Sequence, residues 1–410
     1  MPTVTLHITE LGGQGDGVAE HDGRKVFVAG ALPGETVAAE LNGDRARPVE
    51  MLAASADRVA PRCSHYGVCG GCALQHLSDA SYLEFKRRQV VAALSFQGID
   101  AAVDPVMPLA PGTRRRAVFA AARTGKSVLV GFHGRRSHQI VAVPDCAVIT
   151  PGLAALLPKL ERLAAIAAAP KGALTLAVTE TATGFDVALT GVARGVSADA
   201  RIRLVQAAGE LGLARLSING EIAMERAAPL IRSGTAHVAP PPGGFLQACE
   251  PSEATMVKLV QEATGGVRKV VDLFAGSGTF SLPLATTAMV HAVESEGEAL
   301  AALDKAAKRA TGLRPVTVEK RDLFRRPLMK DELNRFDAAV IDPPRAGAEA
   351  QSRQLAASSV KRIAMVSCNA GTFARDLRIL LDGGYRAMRI APVDQFLWSP
   401  HIEIVAALSR

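Results

Sequence analysis

The segment 269–280, with the sequence KVVDLFAGSGTF, constrains the fold of this 410-residue chain more than any other segment. An apolar run, a glycine-rich turn and a helical pattern follow one another, which is typical of the first βα unit of a doubly wound sheet. Only glycine lets a ligand lie directly against the backbone of such a turn. The turn lacks the third glycine of the dinucleotide fingerprint, so it does not favour a nicotinamide cofactor. We therefore predict a Rossmann-like α/β domain that binds a different ligand.

Three acidic residues follow this turn at points where a strand of such a sheet would end. Glu294 ends the second predicted strand, about twenty residues after the glycines, where a carboxylate can bind both hydroxyls of a ribose. Asp322 falls where an acid can contact an adenine, and Asp342 opens the sequence Asp-Pro-Pro-Arg after a further predicted strand. The glycine turn and these acids together are suited to bind the nucleoside of S-adenosylmethionine. We predict this cofactor for the domain formed by residues 241–410.

Two further residues of this domain carry reactive groups in unusual places. Cys368 lies in the segment MVSCNAGTFARD, where an apolar strand passes into a helix. A helix N-terminus favours thiolate over thiol, so the cysteine is a candidate nucleophile, although a small core residue is the usual alternative. Glu403 lies in the apolar run 402–408, where a carboxylate is disfavoured unless it has a task. Its alternative is a glutamate on the exposed face of a strand.

Closely spaced cysteines mark the middle of the chain. Cys63 precedes Cys69 and Cys72, and the two glycines between the last pair let the backbone fold tightly enough for several thiolates to converge. Cys146 is the natural fourth ligand. Four thiolates suit either a tetrahedral zinc ion or an iron–sulfur cluster, and spacing alone does not separate the two.

The positive charge of the chain is concentrated in one segment. Residues 58–150 contain 12 Lys and Arg against 5 Asp and Glu, whereas residues 1–57 contain 4 against 9. Three basic runs, at 86–88, 114–116 and 135–136, lie in the positive segment and favour a contact surface for RNA. The chain has neither a secretory signal nor an apolar run that spans a bilayer. We predict a cytoplasmic monomer without a membrane partner.

Residues 1–57 have the alternation and the turns of a small β-barrel. Asp22 and Gly23 separate two short apolar runs, which indicates a hairpin. We therefore predict three domains: an OB-like barrel at 1–57, a central α+β domain at 58–240, and the α/β domain at 241–410.

These motifs together resemble a known family, the RNA uracil-C5 methyltransferases that make 5-methyluridine, in their bacterial 23S ribosomal-RNA branch. GDGVAEHDGRKVFVAGALPGE resembles the TRAM domain, an OB-like barrel of RNA-modifying enzymes. The rest of the resemblance is carried by CGGCALQH, GGFLQ, DLFAGSGTF, DPPR, SCNAGTFARD and HIE. The chain departs from the family at Ala275 and Thr279, where the family usually has cysteine and asparagine, and at Ala370-Gly371, which replaces a proline-containing pair.

The resemblance implies a role for each matching residue. A [4Fe-4S] cluster would be held by Cys63, Cys69, Cys72 and Cys146. The S-adenosylmethionine site would be lined by Gln247, Phe274, Thr279, Glu294, Asp322 and Asp342, the last at the junction of cofactor and target base. Cys368 would be the nucleophile and Glu403 the base.

The chemistry explains why the reaction needs both of the last two residues. Uracil C5 becomes nucleophilic only after a thiolate has added to C6, and the C5 proton must then leave to a base before the cysteine is expelled. The target base should be flipped out of the RNA stack. Two alternatives remain. One is the same chemistry on transfer RNA, and the other is a non-catalytic RNA-binding metal protein.

Overall fold

The computed structural model describes residues 2–125, 127–168, 173–193 and 197–410. Within these residues the strands form a six-stranded sheet, two seven-stranded sheets and one two-stranded hairpin. No helix of the described residues is long and apolar enough to cross a membrane.

The first sheet encloses its own apolar core, as expected for the predicted barrel. Its order is β1-β5-β6-β4-β3-β2. The strands are β1 Thr3–His7, β2 Glu10–Leu11, β3 Gly17–His21, β4 Arg24–Val28, β5 Thr36–Asn42 and β6 Arg45–Ala53. The predicted hairpin is confirmed, because β3 pairs antiparallel with β4 and both Asp22 and Gly23 have positive φ angles, 50° and 73°.

The central part of the chain combines helices with a second sheet. The sheet has the order β13-β12-β11-β10-β7-β8-β9. Its strands are β7 Arg116–Thr124, β8 Ser127–His133, β9 Ile140–Val141, β10 Leu174–Thr181, β11 Gly184–Thr190, β12 Arg215–Ile218 and β13 Glu221–Glu225. The helices are α1 Asp79–Phe96, α2 Pro151–Leu156, α3 Leu160–Ala167 and α4 Ala198–Glu210, with a 3₁₀ turn at Leu157–Lys159 between α2 and α3.

The C-terminal part contains the predicted doubly wound sheet, preceded by the hairpin β14 Ile231–Ser233 and β15 Ala236–Val238. The sheet strands are β16 Lys269–Leu273, β17 Met289–Glu294, β18 Val316–Lys320, β19 Ala338–Ile341, β20 Arg362–Ser367, β21 Arg386–Val393 and β22 Glu403–Ser409. The helices are α5 Glu250–Thr264, α6 Ser281–Leu284, α7 Gly297–Arg309, α8 Lys330–Leu333, α9 Glu349–Ala357 and α10 Ala370–Asp382.

The order of this sheet is β18-β17-β16-β19-β20-β22-β21. Strands β16 to β20 are parallel to one another. Strand β22 lies between β20 and β21 and is antiparallel to both. The parallel strands therefore present their carboxyl ends at one edge, where ligands of doubly wound folds bind.

The glycine turn after β16 is confirmed and needs its glycines. Gly276 and Gly278 have φ angles of 53° and 95°, which residues with a side chain rarely adopt. A Cβ atom at Gly278 would also lie 2.4 Å from the Leu303 side chain. The turn is consequently packed against α7 on one side.

Helix α1 joins the middle of the chain to the C-terminal sheet. It packs against α10, and its Val90 and Leu94 belong to the same apolar core as Phe373 and Leu377. The C-terminal core thus extends into the segment predicted as the central domain. The domain boundaries at 57/58 and 240/241 stay predictions.

Candidate active site

Cys368 lies in the short turn between β20 and α10, at the predicted edge of the sheet. Asn369 caps the helix, because its Oδ1 accepts hydrogen bonds from the backbone N–H groups of Gly371 at 2.9 Å and Thr372 at 3.1 Å. The first free N–H groups of α10 are therefore occupied by this amide. The thiol is half-buried beside them.

The expectation that this position favours the thiolate is wrong for the free protein. Burial raises the pKa of Cys368 to about 11, and the carboxylates of Glu403 and Asp342 add to the increase, while Arg345 opposes it. Like charges close to a thiol disfavour its ionised form. At neutral pH the free protein therefore holds a protonated thiol.

Glu403 begins β22 and is brought opposite this cysteine by strand pairing. The antiparallel register pairs Ser367 with Ile404, so the next positions along the two strands are Cys368 and Glu403. Glu403 is buried, with 4% of its surface exposed. Burial raises its pKa to about 8; Asp342 adds to the increase, and Gln395, Arg345 and Lys86 oppose it. The alternative of an exposed strand-face glutamate is excluded by this burial.

Gln395 is a member of the site that sequence reasoning missed. Its Nε2 donates hydrogen bonds to Gln247 Oε1 at 2.7 Å and to Glu403 Oε1 at 3.1 Å. Both glutamines are buried, and Gln395 Oε1 has no hydrogen-bond partner among the residues that the structure describes. The predicted cofactor residue Gln247 is thus linked to the predicted base through one amide group. No sequence pattern distinguished Gln395 from an ordinary loop residue.

Two more acids, Asp342 and Asp272, lie at the same edge of the sheet. Asp342 follows β19, and burial raises its pKa to about 7, with Asp272 adding to the increase. Asp272 is fully buried in β16, where burial raises its pKa to about 7 and Glu294 adds to the increase. Ser281 Oγ donates to Asp272 Oδ2 at 2.5 Å, whereas Oδ1 has no hydrogen-bond partner within the described part of the chain. A continuous series of acids therefore runs from Glu403 to Glu294.

Glu294 is held against the glycine turn by backbone donors. Its Oε2 accepts from Gly276 N at 3.0 Å, and its Oε1 accepts from Ser295 N at 2.5 Å and Glu296 N at 2.8 Å. Thr279 lies partly buried in the same turn. A carboxylate fixed by three N–H groups is pre-oriented, as a ribose-binding acid should be.

Two aromatic rings, those of Phe274 and Phe324, lie against each other near Asp322. Phe274 follows β16 with a φ of 65°, and its ring centroid lies 5.4 Å from that of Phe324. Phe324 is 51% exposed and donates its N–H to Asp322 Oδ1 at 3.0 Å. An exposed ring next to Asp322 offers a flat base a surface to stack on. Phe324 carried no signal in the sequence beyond its position two residues after that acid.

The four predicted metal-binding cysteines meet at one place. Cys63, Cys69, Cys72 and Cys146 line a single cavity of about 210 Å³. A Cβ atom at Gly70 would lie 2.9 Å from the carbonyl oxygen of His133, so the first glycine of CGGC is needed for close packing. Within the described part of the chain, no group of three or more Cys, His, Asp or Glu side chains has the arrangement to hold a metal ion. The four thiols nevertheless line the same cavity.

The prediction that the three basic runs form an RNA contact surface is wrong for two of their residues. Lys86 is fully buried, and its Nζ lies 2.6 Å from Asp394 Oδ1. Arg115 is also buried and pairs with Glu253 at 2.8 Å. These charges join structural elements, so they are not available to a polyanion.

The similarity of this chain to known proteins extends over its full length. A family model described as tRNA (Uracil-5-)-methyltransferase matches residues 241–410, and a TRAM domain model matches residues 2–49. An RNA methyltransferase of Agrobacterium fabrum is 48% identical over 100% of both chains. The 23S rRNA (uracil(1939)-C(5))-methyltransferase RlmD of Halomonas elongata is 35% identical over 99% of this chain and 89% of its own length.

A solved structure has the same fold. The Pyrococcus abyssi tRNA (uracil-54, C5)-methyltransferase in complex with S-adenosyl-L-homocysteine superposes with a TM-score of 0.76 at 24% identity, covering 98% of this chain and 99% of that one. The likeness includes all three parts of the chain described above.

Proposed function

Because this chain belongs to the S-adenosylmethionine-dependent RNA (uracil-5-)-methyltransferases, we propose that it methylates C5 of a uridine in 23S ribosomal RNA through a covalent adduct with Cys368. The observation that carries the proposal is the pairing of β20 with β22, which places Cys368 and the buried Glu403 at adjacent strand ends. The ribosomal target is supported by the similarity to RlmD of Halomonas elongata, whose name gives that substrate.

Cys368 begins the proposed reaction. Its sulfur forms a bond to C6 of the uracil, and the electron pair of the C5–C6 double bond moves toward O4, which makes C5 a nucleophile. Because the thiol is protonated in the free protein, its proton passes to the carboxylate of Asp342, one of the two acids that act on the thiol, as the S–C6 bond forms. Glu403 then stays ionised for the later step. S-adenosylmethionine, when bound, supplies the methyl group and a positive charge that opposes these acids.

Glu403 completes the proposed reaction after C5 carries the methyl group. Its carboxylate accepts the C5 proton, the C5–C6 double bond forms again, and the bond from C6 to the Cys368 sulfur breaks. A pKa of about 8 makes this carboxylate a stronger base than an exposed glutamate. Gln395 holds one carboxylate oxygen, Oε1, and leaves Oε2 for the substrate.

The residues at the sheet edge fit S-adenosylmethionine. Asp272 Oδ1 and Gln395 Oε1 are buried polar atoms that find no hydrogen-bond partner in the described residues, and a polar ligand would satisfy such atoms. Glu294 would bind the ribose and Asp322 the adenine, with Phe274 and Phe324 beside its ring. Gln247, Thr279 and Asp342 would complete the site toward the target base.

We assign the cysteine cavity to a [4Fe-4S] cluster because the segment CGGCALQH resembles the cluster-binding motif of the family. The four thiols line a single cavity of about 210 Å³, as the ligands of one inorganic group should. A structural zinc ion held by the same four sulfurs is the alternative. Cys63, Cys69, Cys72 and Cys146 would hold the cluster, and its role there would be to join distant segments.

The test combines two variants with two RNA substrates. Cys368→Ala should bind RNA but transfer no label from methyl-labelled S-adenosylmethionine, whereas Glu403→Gln should accumulate a covalent protein–RNA band on a denaturing gel. Protein-free 23S ribosomal RNA and unmodified transfer RNA are offered side by side. Label in transfer RNA alone would contradict the proposed target, and wild-type turnover by Cys368→Ala would contradict the covalent mechanism.

A further inference from the structure

One buried carboxylate, at the junction of the barrel and the central sheet, contacts the guanidinium groups of three arginines. Asp16 has a side chain that is 3% exposed, and its oxygens lie 3.3 Å from Arg45 Nη1 and 2.6 Å from Arg135 Nη2. Arg136 Nη2 also contacts this carboxylate. Asp16 and Arg45 belong to the barrel, while Arg135 and Arg136 follow β8. We call these four residues the Asp16 cluster.

The charges of the Asp16 cluster do not balance. Three guanidinium groups face one carboxylate, which leaves a surplus of two positive charges. Among the described residues, none of the three arginines forms an ion pair with a second acid. Each guanidinium has five N–H donors, and the side chains of Arg45 and Arg136 are 49% and 48% exposed. Their outer donors consequently face solvent.

The arginines of the Asp16 cluster are held in place before any ligand arrives. Arg136 has a φ of 52°, a left-handed conformation that is uncommon for residues other than glycine. Arg135 N donates to Val68 O at 3.0 Å, which ties the loop to the cysteine segment. The Arg45 guanidinium lies 5.7 Å from the centre of the Phe27 ring. Fixed donors lose less entropy when they bind.

The Asp16 cluster also lies close to the segment that leads to Glu403. A Cβ atom at Gly15 would lie 3.0 Å from the side chain of Leu74. The backbone N–H of Leu74 donates to the carbonyl of Trp398 at 3.0 Å. The Asp16 cluster is therefore connected through Leu74 to the segment that precedes Glu403.

We propose that Arg45, Arg135 and Arg136 form a binding site for a phosphate of the RNA backbone, with Asp16 orienting the three guanidinium groups. The planar guanidinium group of arginine can donate two parallel hydrogen bonds to two oxygens of one phosphate. The surplus of two positive charges also favours the binding of an anion. This inference rests on the proposed function, because it takes RNA as the substrate. It assigns RNA contact to a barrel whose overall charge is negative.

The test compares three single alanine variants of the same protein. Arg45→Ala and Arg136→Ala each remove one exposed guanidinium from the site, whereas Arg47→Ala removes an arginine of the same strand, β6, that pairs with Glu40. Affinity for a 23S ribosomal-RNA fragment and for unmodified transfer RNA is measured without turnover at several salt concentrations. A phosphate contact is not sequence-specific, so both RNAs should report it.

We expect Arg45→Ala and Arg136→Ala to weaken binding of both RNAs and to lower the slope of log affinity against log salt by about one each. Arg47→Ala should leave the slope unchanged. Arg136→Lys, which retains the charge without the fork, separates phosphate recognition from loss of fold and should fall between Arg136→Ala and wild type. Slopes of Arg45→Ala and Arg136→Ala equal to that of Arg47→Ala would overturn the inference. A wrong choice of RNA target would leave this comparison unaffected.

Discussion

Replacing Gln395 by leucine tests how the proposed base is controlled. The substitution nearly retains the volume of the side chain but removes Nε2, the donor that contacts Glu403 Oε1 at 3.1 Å. This hydrogen bond lowers the pKa of Glu403, against the increase that burial causes. Without it, the pKa of Glu403 should rise further above about 8, so that less of the group is ionised at neutral pH.

The magnitude follows from the bond that is lost. A hydrogen bond to a charged group contributes about 1.5–3 kcal/mol, and a difference of 1.36 kcal/mol corresponds to one pKa unit. The pKa of Glu403 should therefore rise by about one to two units in Gln395→Leu. Below the pKa, the rate of a step that needs the carboxylate should fall about ten- to one-hundredfold at fixed pH.

The assay follows release of the methylated adduct in single turnovers across a range of pH. In the wild type the release rate should rise with pH and level off above the pKa of Glu403. In Gln395→Leu the same curve should be displaced to higher pH, so that the rate recovers as the pH is raised. Gln351→Leu is the matched control, because Gln351 is equally buried but bonds to Leu328. A rate reduced by the same factor at every pH would refute the reasoning.

Two further predictions concern the structural groups around the site. Protein purified without air should contain iron and sulfide, and Cys146→Ser should lose both by elemental analysis while its thermal midpoint falls; stoichiometric zinc in the wild type would contradict the assignment. Lys86→Met should lower the free energy of unfolding by about 3–5 kcal/mol, because it leaves the fully buried Asp394 carboxylate without its cation. Arg88→Met, an exposed position of the same helix, should leave the denaturation curve unchanged, and an equal loss in both variants would refute the argument.

The sequence predicted the parts of the site that follow directly from strand order. Glu294, Asp342 and Cys368 each come after an apolar run, and parallel strands bring their carboxyl ends to one edge. Glu403 was predicted as a charge in an apolar run, and its burial is confirmed. Whether these residues have the proposed roles is tested only by the experiments above.

Tertiary contacts explain what the sequence did not reveal. The pKa of the Cys368 thiol is raised first by burial and then by Glu403 of β22 and by Asp342, which follows β19, and all of these depend on tertiary contacts. Gln395 bonds to a residue 148 positions away, which no local pattern encodes. Lys86, by contrast, shares a helix face with the buried Tyr82, Phe85 and Val90, so helical periodicity contained the signal that its charge faces inward.

The insertion of β22 between β20 and β21 has a consequence for how the protein acquires activity during folding. Strand β22 follows both neighbours along the chain, so until it is added β21 has no partner in the sheet and β20 is paired only with β19. Such long-range pairing is slow to form, and unpaired strand edges invite association with other chains. The pairing of β22 with β20 completes the sheet, and the same pairing brings Glu403 opposite Cys368. A folding intermediate without β22 would thus expose the unpaired edge of β20, which is prone to association. In that intermediate Cys368 would not yet have Glu403 opposite it.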